Sequence, residues 1–128
     1  MVKALLTIAL VLIGQPAQAQ VILILAPNGD FLGGVAIDGQ LCNQFDPDCI
    51  WNEYSSYGSN YSSQSIFNDY GEYGSPYGSS SVCNLNISYD ESPFLVEIEN
   101  SQAQFYDVIG PDSKTVLGAN LYTLACGD

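Results

Sequence analysis

Short apolar runs alternate along the chain with polar segments of the kind that form turns. Val21–Leu25 and Phe31–Ile37 are two such runs, and the segment between them contains Asn28-Gly29. Asn-Gly between two apolar runs is the strongest short-range signal for a β-hairpin. We therefore predict a hairpin over these two runs.

A second region with strand character lies nearer the C-terminus. Residues 94–99 alternate Phe, Val and Ile with Leu, Glu and Glu, the period-2 pattern of a strand with one partly wet face. Residues 99–101 are expected to form its turn, 104–109 the returning strand, and 121–125 a last strand tied down by Cys126. No stretch after position 19 shows a sustained helical stripe with capping signals, so the pattern predicts an all-β fold, either a small antiparallel sheet or a partly open barrel.

The segment around position 112 looks similar to the first hairpin. Val108-Ile109-Gly110 leads into a polar turn over 111–114 and out through Val116-Leu117-Gly118, with a cysteine several residues beyond in both cases. Two interpretations stay open. The segment is either a second copy of the hairpin, or it shares only the turn chemistry that any two hairpins have in common.

Between these regions the chain repeats itself at a constant interval. Residues 49–54 (CIWNEY) return as 65–70 (SIFNDY) and begin again at 81–84 (SVCN), which defines a repeat period of 16 residues. Self-similarity at a fixed period indicates one conformational unit used more than once, and the many Gly and Ser residues disfavour a helix. We predict an ordered but irregular excursion over 49–84, built of turns with the Ile of each unit pointing inward. Low-complexity disorder is the competing interpretation.

The repeat resembles that of a family of small exported or envelope-associated bacterial proteins, with units of the form DSIxNxYGxYGSxYS. The match covers 46–82, and the approach to it, Phe31-Leu32-Gly33 and 43–46, is also similar. The chain departs from the pattern at Cys49, where the usual unit has Ser, at Cys83, and at Ser55-Ser56. The resemblance implies an exported protein in which a disulfide stabilises turns that other members hold without one, but it brings no activity with it.

Residues 1–19 have the features of a secretory signal peptide. Lys3 is positive, Ala4 to Ile13 is apolar, and Ala17-Gln18-Ala19 fits the small-x-small cleavage rule. A membrane anchor and a buried core helix are the alternatives, but the apolar stretch is shorter than the roughly 20 residues that span a bilayer. We predict a signal peptide over 1–19 and one small domain over 20–128, secreted or periplasmic, without a membrane span.

The chain has four cysteines, an even number that predicts two disulfides in an oxidising compartment. They are Cys42, Cys49, Cys83 and Cys126. The pairing of Cys42 with Cys49 and Cys83 with Cys126 would give a short loop and a long-range staple. A nested pairing would brace both ends of the repeat region instead, and the sequence does not choose among the three connectivities.

The formal net charge of −12 limits the partners that the chain can bind. Nucleic acid and anionic membrane surfaces need clustered Lys or Arg, whereas Lys114 is the only cationic side chain after position 19. The scattered carboxylates favour a role in solubility, and the alternatives are a cationic partner or Ca²⁺. Asp46 and Asp48, with Asn43 nearby, could supply oxygen ligands to Ca²⁺, but the Gly and Glu of an EF-hand loop are missing.

Catalytic chemistry has little support in the sequence. The chain has no His to act as a base or to activate a cysteine, no Ser stands in an elbow motif, and no Lys lies beside a nucleophile. The acidic pairs Asp46/Asp48 and Asp90/Glu91 are more typical of solvated turns than of a two-carboxylate site. We therefore expect that the protein is not an enzyme.

The repeat region is also rich in aromatic residues, which recur in protein and glycan recognition because they offer large rigid faces. The candidate binding surface consists of Trp51, Tyr54, Tyr57, Tyr61, Phe67, Tyr70, Tyr73 and Tyr77. The competing interpretation is that these rings cover a core too small to close by itself. The sequence thus predicts a non-catalytic secreted module that binds a protein or a cell-surface glycan, with a structural envelope protein or a Ca²⁺-dependent module as alternatives.

Overall fold

The computed structural model describes residues 20–127, so the predicted signal peptide at 1–19 lies outside the described residues. A five-stranded antiparallel sheet with the order β3-β2-β1-β4-β5 forms the framework. Its strands are β1 Val21–Leu25, β2 Phe31–Ile37, β3 Gln40–Leu41, β4 Phe94–Glu99 and β5 Gln102–Val108. The prediction of a small antiparallel sheet is confirmed, and the sheet is open rather than closed into a barrel.

The predicted N-terminal hairpin is formed by β1 and β2. Its turn closes with a hydrogen bond of 2.8 Å from the Ala26 amide to the Asp30 carbonyl. Gly29 within the turn has φ 95°, in the left-handed region that glycine tolerates best.

The second hairpin, β4 and β5, turns tightly at the predicted place. Asn100 and Ser101 have φ 53° and 65°, the two positive values that a two-residue hairpin loop requires. Strand β1 pairs with β4 from Val21↔Ile98 to Leu25↔Phe94 and joins the two hairpins into one sheet.

The predicted last strand over 121–125 is wrong, because Val116–Cys126 forms an α-helix, α1. Thr115 caps its N-terminus, with the Thr115 hydroxyl accepting a hydrogen bond of 3.0 Å from the Gly118 amide. Leu121 and Ala125 lie one turn apart on the buried face. The weak helix formers Gly118, Asn120 and Thr123 hide this periodicity in the sequence.

The interpretation of the segment around position 112 as a second copy of the hairpin is also wrong. A turn closes with a bond of 3.1 Å from the Ser113 amide to the Gly110 carbonyl, as the polar residues predict. The chain then enters α1 instead of a strand, because Asp107 and Thr115 together fix the first turn of that helix. The two segments therefore share turn chemistry only.

Residues 43–86, here called the turn array, are ordered and contain no regular helix or strand. Ile50, Ile66 and Val82, which occupy the same position in successive repeat units, are all buried in the core. The same core cluster includes Ile24 of β1, Leu95 of β4 and Leu121 of α1. The array and the helix thus cover one face of the sheet.

Two disulfides close the structure, Cys42–Cys49 and Cys83–Cys126, at sequence separations of 7 and 43 residues. This is the pairing of a short loop with a long-range staple, one of the connectivities that the sequence left open. The long-range bond ties the last coil of the turn array to the end of α1. Within residues 20–127, no helix has the length and apolar character needed to cross a membrane.

Candidate functional site

The turn array is a succession of tight turns linked by backbone hydrogen bonds. In its first coil every third amide donates to the carbonyl three positions earlier, first from Asp46 to Asn43 (2.9 Å) and then from Cys49, Asn52 and Ser55 in the same way. One wider step follows, in which the Ser59 amide donates to the Ser55 carbonyl at 3.1 Å. These steps carry the chain from Asn43 to Ser59, which is one full repeat period.

Asparagine side chains hold each coil at the same point. The side-chain amide of Asn52 donates to the Asp46 carbonyl (3.0 Å), that of Asn68 to Ser62 (3.0 Å) and that of Asn84 to Gly78 (2.8 Å). The Oδ1 atom of each Asn also accepts the backbone amide two positions later, at 3.0, 3.0 and 2.9 Å. Each Asn therefore satisfies one backbone carbonyl and fixes the backbone direction of the next turn.

Glycine is required where the coil folds back on its own backbone. A Cβ atom on Gly58 would lie 2.1 Å from the Asn52 carbonyl oxygen, and one on Gly74 would lie 2.4 Å from the Ile66 carbonyl oxygen. These distances leave no room for a side chain. The two glycines that the repeat keeps in register thus allow each coil to close.

The first coil is joined to strand β2 by backbone hydrogen bonds. The Gly34 amide donates to the Asp48 carbonyl (2.7 Å), and the Ile50 amide donates to the Gly34 carbonyl (3.0 Å). At Gly33, whose φ is 118°, a Cβ atom would lie 2.5 Å from Ile50 Cγ2 and 2.8 Å from the Cβ of Tyr57. The sheet therefore fixes the position of the array.

The structure separates the six repeat tyrosines into two groups. Tyr54, Tyr61, Tyr70 and Tyr77 are 89%, 91%, 96% and 91% exposed. Tyr57 and Tyr73 are half-buried and pack against the core cluster. Burial raises the pKa of Tyr73, and the negative charges of Glu72 and Asp30 raise it further.

The two remaining candidates, Trp51 and Phe67, are half-buried and also pack against the core. The Trp51 indole N–H donates to the Val35 carbonyl at 2.9 Å and so links the array to β2. Trp51 and Phe67 occupy equivalent positions of successive units. The structure thus gives Trp51 a scaffold contact, whereas Phe67 also lines a groove described below.

Phe45 is an exposed aromatic residue that the sequence reasoning missed. It stands one repeat period before Tyr61, as Tyr61 stands one before Tyr77, and it is 79% exposed. The backbone amides of these three residues each donate to a side-chain oxygen two positions earlier, on Asn43 (2.8 Å), Ser59 (3.1 Å) and Ser75 (3.0 Å). Extension of the period backwards from Tyr61 would have found Phe45.

The exposed rings fall into two sets, and the members of each set occupy equivalent positions of successive repeat units. Phe45, Tyr61 and Tyr77 form the first aromatic column, and Tyr54 and Tyr70 form the second. Two aromatic ring pairs occur among residues 20–127, Phe31–Tyr57 and Phe94–Phe105, and neither includes a ring of the columns. Because these five residues are 79–96% exposed, the faces of the column rings are free for another molecule.

A groove of about 820 Å³ runs between the columns and the C-terminal helix. Tyr61 and Tyr77 of the first column and Tyr70 of the second contribute to its wall, together with Phe67 and the exposed Leu124. Asn60, Asp69 and Ser75 add polar groups to the same wall. Its volume lies within the usual range for ligand sites in proteins, roughly 300–1,000 Å³.

Asp46 and Asp48, the candidate Ca²⁺ ligands, lie in the first coil of the array. The Asp46 carboxylate accepts the Asp48 amide at 2.9 Å, a local turn contact. Across the described part of the chain, no three His, Cys, Asp or Glu side chains gather in a group that could hold a metal ion.

Asp107 is the carboxylate whose surroundings perturb it most clearly. Burial alone raises the pKa of Asp107, but hydrogen bonds from the Thr115 hydroxyl and from the Lys114, Thr115 and Val108 amides outweigh burial and hold the pKa below its ordinary value. The Thr115 hydroxyl donates to it at 2.6 Å. The Asp107 oxygens accept hydrogen bonds from residues at the junction between β5 and α1, so the carboxylate has a structural role.

Comparisons with protein-family models, with curated proteins and with solved structures give no match for this chain.

Proposed function

We propose that this protein is an exported, non-catalytic module that binds a protein or a cell-surface glycan through the exposed rings of its turn array. The observation that carries the proposal is the near-complete exposure of Tyr54, Tyr61, Tyr70 and Tyr77 on a backbone held by turn hydrogen bonds. Rings that served only to cover the core would lie against it, as Tyr57 and Tyr73 do.

The charges around the groove narrow the ligand chemistry. Asp69 lies in its wall, and Lys114, the only Lys or Arg side chain in residues 20–127, is not among the lining residues. An anionic ligand would meet negative charge without a cation to neutralise it. An uncharged glycan fits better, because its sugar rings can stack on tyrosine faces while hydroxyls bind Asn60, Asp69 and Ser75.

The proposal is tested by a double substitution in the first column. Wild type and Tyr61→Ser/Tyr77→Ser are compared for binding to immobilised neutral and anionic polysaccharides and to proteins of an envelope extract. We expect at least about tenfold weaker binding from the loss of two stacking faces. Val116→Ser, which removes a 78% exposed apolar side chain from α1, is the matched control.

If wild type and the folded double variant bind the same partner equally well, the result favours the structural envelope role. The Ca²⁺-dependent alternative has its own test. A rise in melting temperature on adding Ca²⁺ that disappears in Asp46→Asn/Asp48→Asn would favour it over the tyrosine surface.

A further inference from the structure

The face of the sheet opposite the core is apolar along β1, β2, β4 and β5. At its β2 margin Phe31 packs on Tyr57 of the turn array, and Gln40 of β3 lies opposite Ile37. Directly opposite residues of neighbouring strands share a face, so the pairings define three rows of side chains. The rows are Phe31-Leu25-Phe94-Val108, Gly34-Leu23-Val96-Phe105 and Ile37-Val21-Ile98-Ala103. We call these residues the apolar sheet face.

This face differs from the opposite one in what covers it. Ile22, Ile24 and Leu95 on the opposite face belong to the core beneath the array and α1. On the apolar sheet face Val96 is buried, but Phe105 is 64% and Ile37 is 45% exposed. Exposed apolar patches of this size are often functional in monomeric proteins.

The two margins of the face are complementary in shape. On the side of β2 there is a hollow of about 210 Å³, lined by Val21, Leu23, Phe31 and Gly34 and bordered by the Cys42–Cys49 loop. On the side of β5 the Phe105 ring stands out from the sheet beside Phe94, at a centroid distance of 6.1 Å. One molecule thus carries both a hollow and a ring that could fill it.

We propose that the apolar sheet face binds a second copy of this chain, sheet against sheet, about a two-fold axis parallel to the strands. An axis between β1 and β4 places β5 of one copy over β2 of the other and keeps the three rows in register. Phe105 then lies over Gly34, Ala103 over Ile37, and Val108 over Phe31. In each of these pairs a larger side chain meets a smaller one, as interdigitated sheet packing requires.

The charge distribution selects the same arrangement. Asp46 and Asp48 border the hollow on the β2 side, whereas residues 102–106 of β5 are uncharged. The proposed axis places this acidic border over the uncharged strand. An axis perpendicular to the strands would instead place the two acidic borders against each other, which like charges disfavour.

The expected dimer is weak and depends on salt. Four strands about 4.8 Å apart, with three rows of side chains, give a footprint of roughly 400 Å² per copy, or roughly 800 Å² in total, which is below the range of stable interfaces and corresponds to a weak, transient dimer. The large negative net charge of each chain adds repulsion between the copies. Raising the NaCl concentration should therefore strengthen the association, because salt screens the repulsion and leaves apolar burial intact.

Sedimentation experiments on the exported product of the full chain test the proposal across a wide range of protein and NaCl concentrations. Wild type should form a dimer, and Phe105→Ser should raise its Kd at least about a hundredfold, because two rings are lost per dimer. Leu85→Ser, which removes a 69% exposed side chain elsewhere, should leave the Kd unchanged. A wild type that is monomeric at every concentration, or a dimer that is insensitive to Phe105→Ser, overturns the proposal.

A mixing experiment tests the arrangement itself. Ile37→Asp blocks the hollow but keeps the Phe105 ring, whereas Phe105→Ser keeps the hollow. Neither variant should dimerise alone, but a mixture of the two should form a heterodimer with one intact contact. If the two folded variants form no heterodimer, the ring does not enter the hollow of the partner and this interface is overturned.

Discussion

Asp107 shows how a single carboxylate can organise the junction between a strand and a helix. Its oxygens accept the Val108 amide (2.8 Å), the Lys114 amide (3.1 Å) and the Thr115 amide (3.0 Å). Gly118 allows this approach, because a Cβ atom there would lie 2.6 Å from the carboxylate. The carboxylate thus ends β5 and holds the capping residue of α1 in place.

We predict that Asp107→Asn lowers the free energy of unfolding by about 2–4 kcal/mol, because an amide can place only one acceptor oxygen among these donors. Chemical denaturation at neutral pH measures this loss. Glu53→Gln, which neutralises an exposed carboxylate, is the matched control. A loss no larger than that of the control would contradict the role given to Asp107.

The stabilisation by Asp107 should also depend on pH. Its pKa in the folded protein is lowered, so its contribution is fully present above the pKa of the unfolded chain, about 3.9. It is lost as the pH falls through the folded value. The difference in melting temperature between wild type and Asp107→Asn should therefore shrink as the pH falls below about 4.

At the level of elements, the turn array replaces helix and strand hydrogen bonds with local ones. Its ordered state relies on side chains that bind the backbone two positions ahead, which Asn, Ser and Asp do well. The composition that makes this segment look like a disordered tract is therefore the composition that the turns require.

We predict that Asn68→Ala destabilises the protein by about 1–2 kcal/mol, because the Ser62 carbonyl and the Tyr70 amide both lose their partner. Asn60→Ala offers a control of the same residue type, since Asn60 is exposed. Hydrogen exchange should become faster at the Tyr70 amide in Asn68→Ala only. Equal stabilities of the two variants would show that the Asn contacts do not hold the coils.

The sequence predicts the elements whose signals are local. Asn28-Gly29 and Asn100-Ser101 carry the turn chemistry of the two hairpins, and the spacing of Ile50, Ile66 and Val82 gives their shared burial. Helix α1 could not be predicted in this way, because Asp107 of β5 holds its capping residue Thr115 in place and Gly118 interrupts its apolar stripe. The exposure of the tyrosines depends on how the coil turns in space, which residue spacing alone does not specify.

For the whole molecule, the two disulfides have different roles. Cys42–Cys49 closes a short loop at the edge of the sheet, with a sequence separation of 7, whereas Cys83–Cys126 joins positions 43 residues apart. Closing the longer loop restricts the unfolded chain more. The chain-entropy relation gives about 4 kcal/mol for the long-range bond and about 2.4 kcal/mol for the short one.

We therefore predict that Cys83→Ala/Cys126→Ala lowers the melting temperature more than Cys42→Ala/Cys49→Ala, because it also frees α1 from the array. Thermal unfolding of the two variants without reductant measures the difference. The reverse order would show that the contacts between the Cys42–Cys49 loop and β2 contribute more than loop closure does.

The repeating coil also has a consequence for how such proteins can change over generations. Each coil satisfies most of its hydrogen bonds within itself, so the duplication of one unit would lengthen the array without altering the sheet. Every added unit would bring one more ring to each aromatic column. An insertion of only part of a unit would instead rotate all later rings away from their columns. Selection can therefore adjust the reach of the array in whole units, by copying existing sequence.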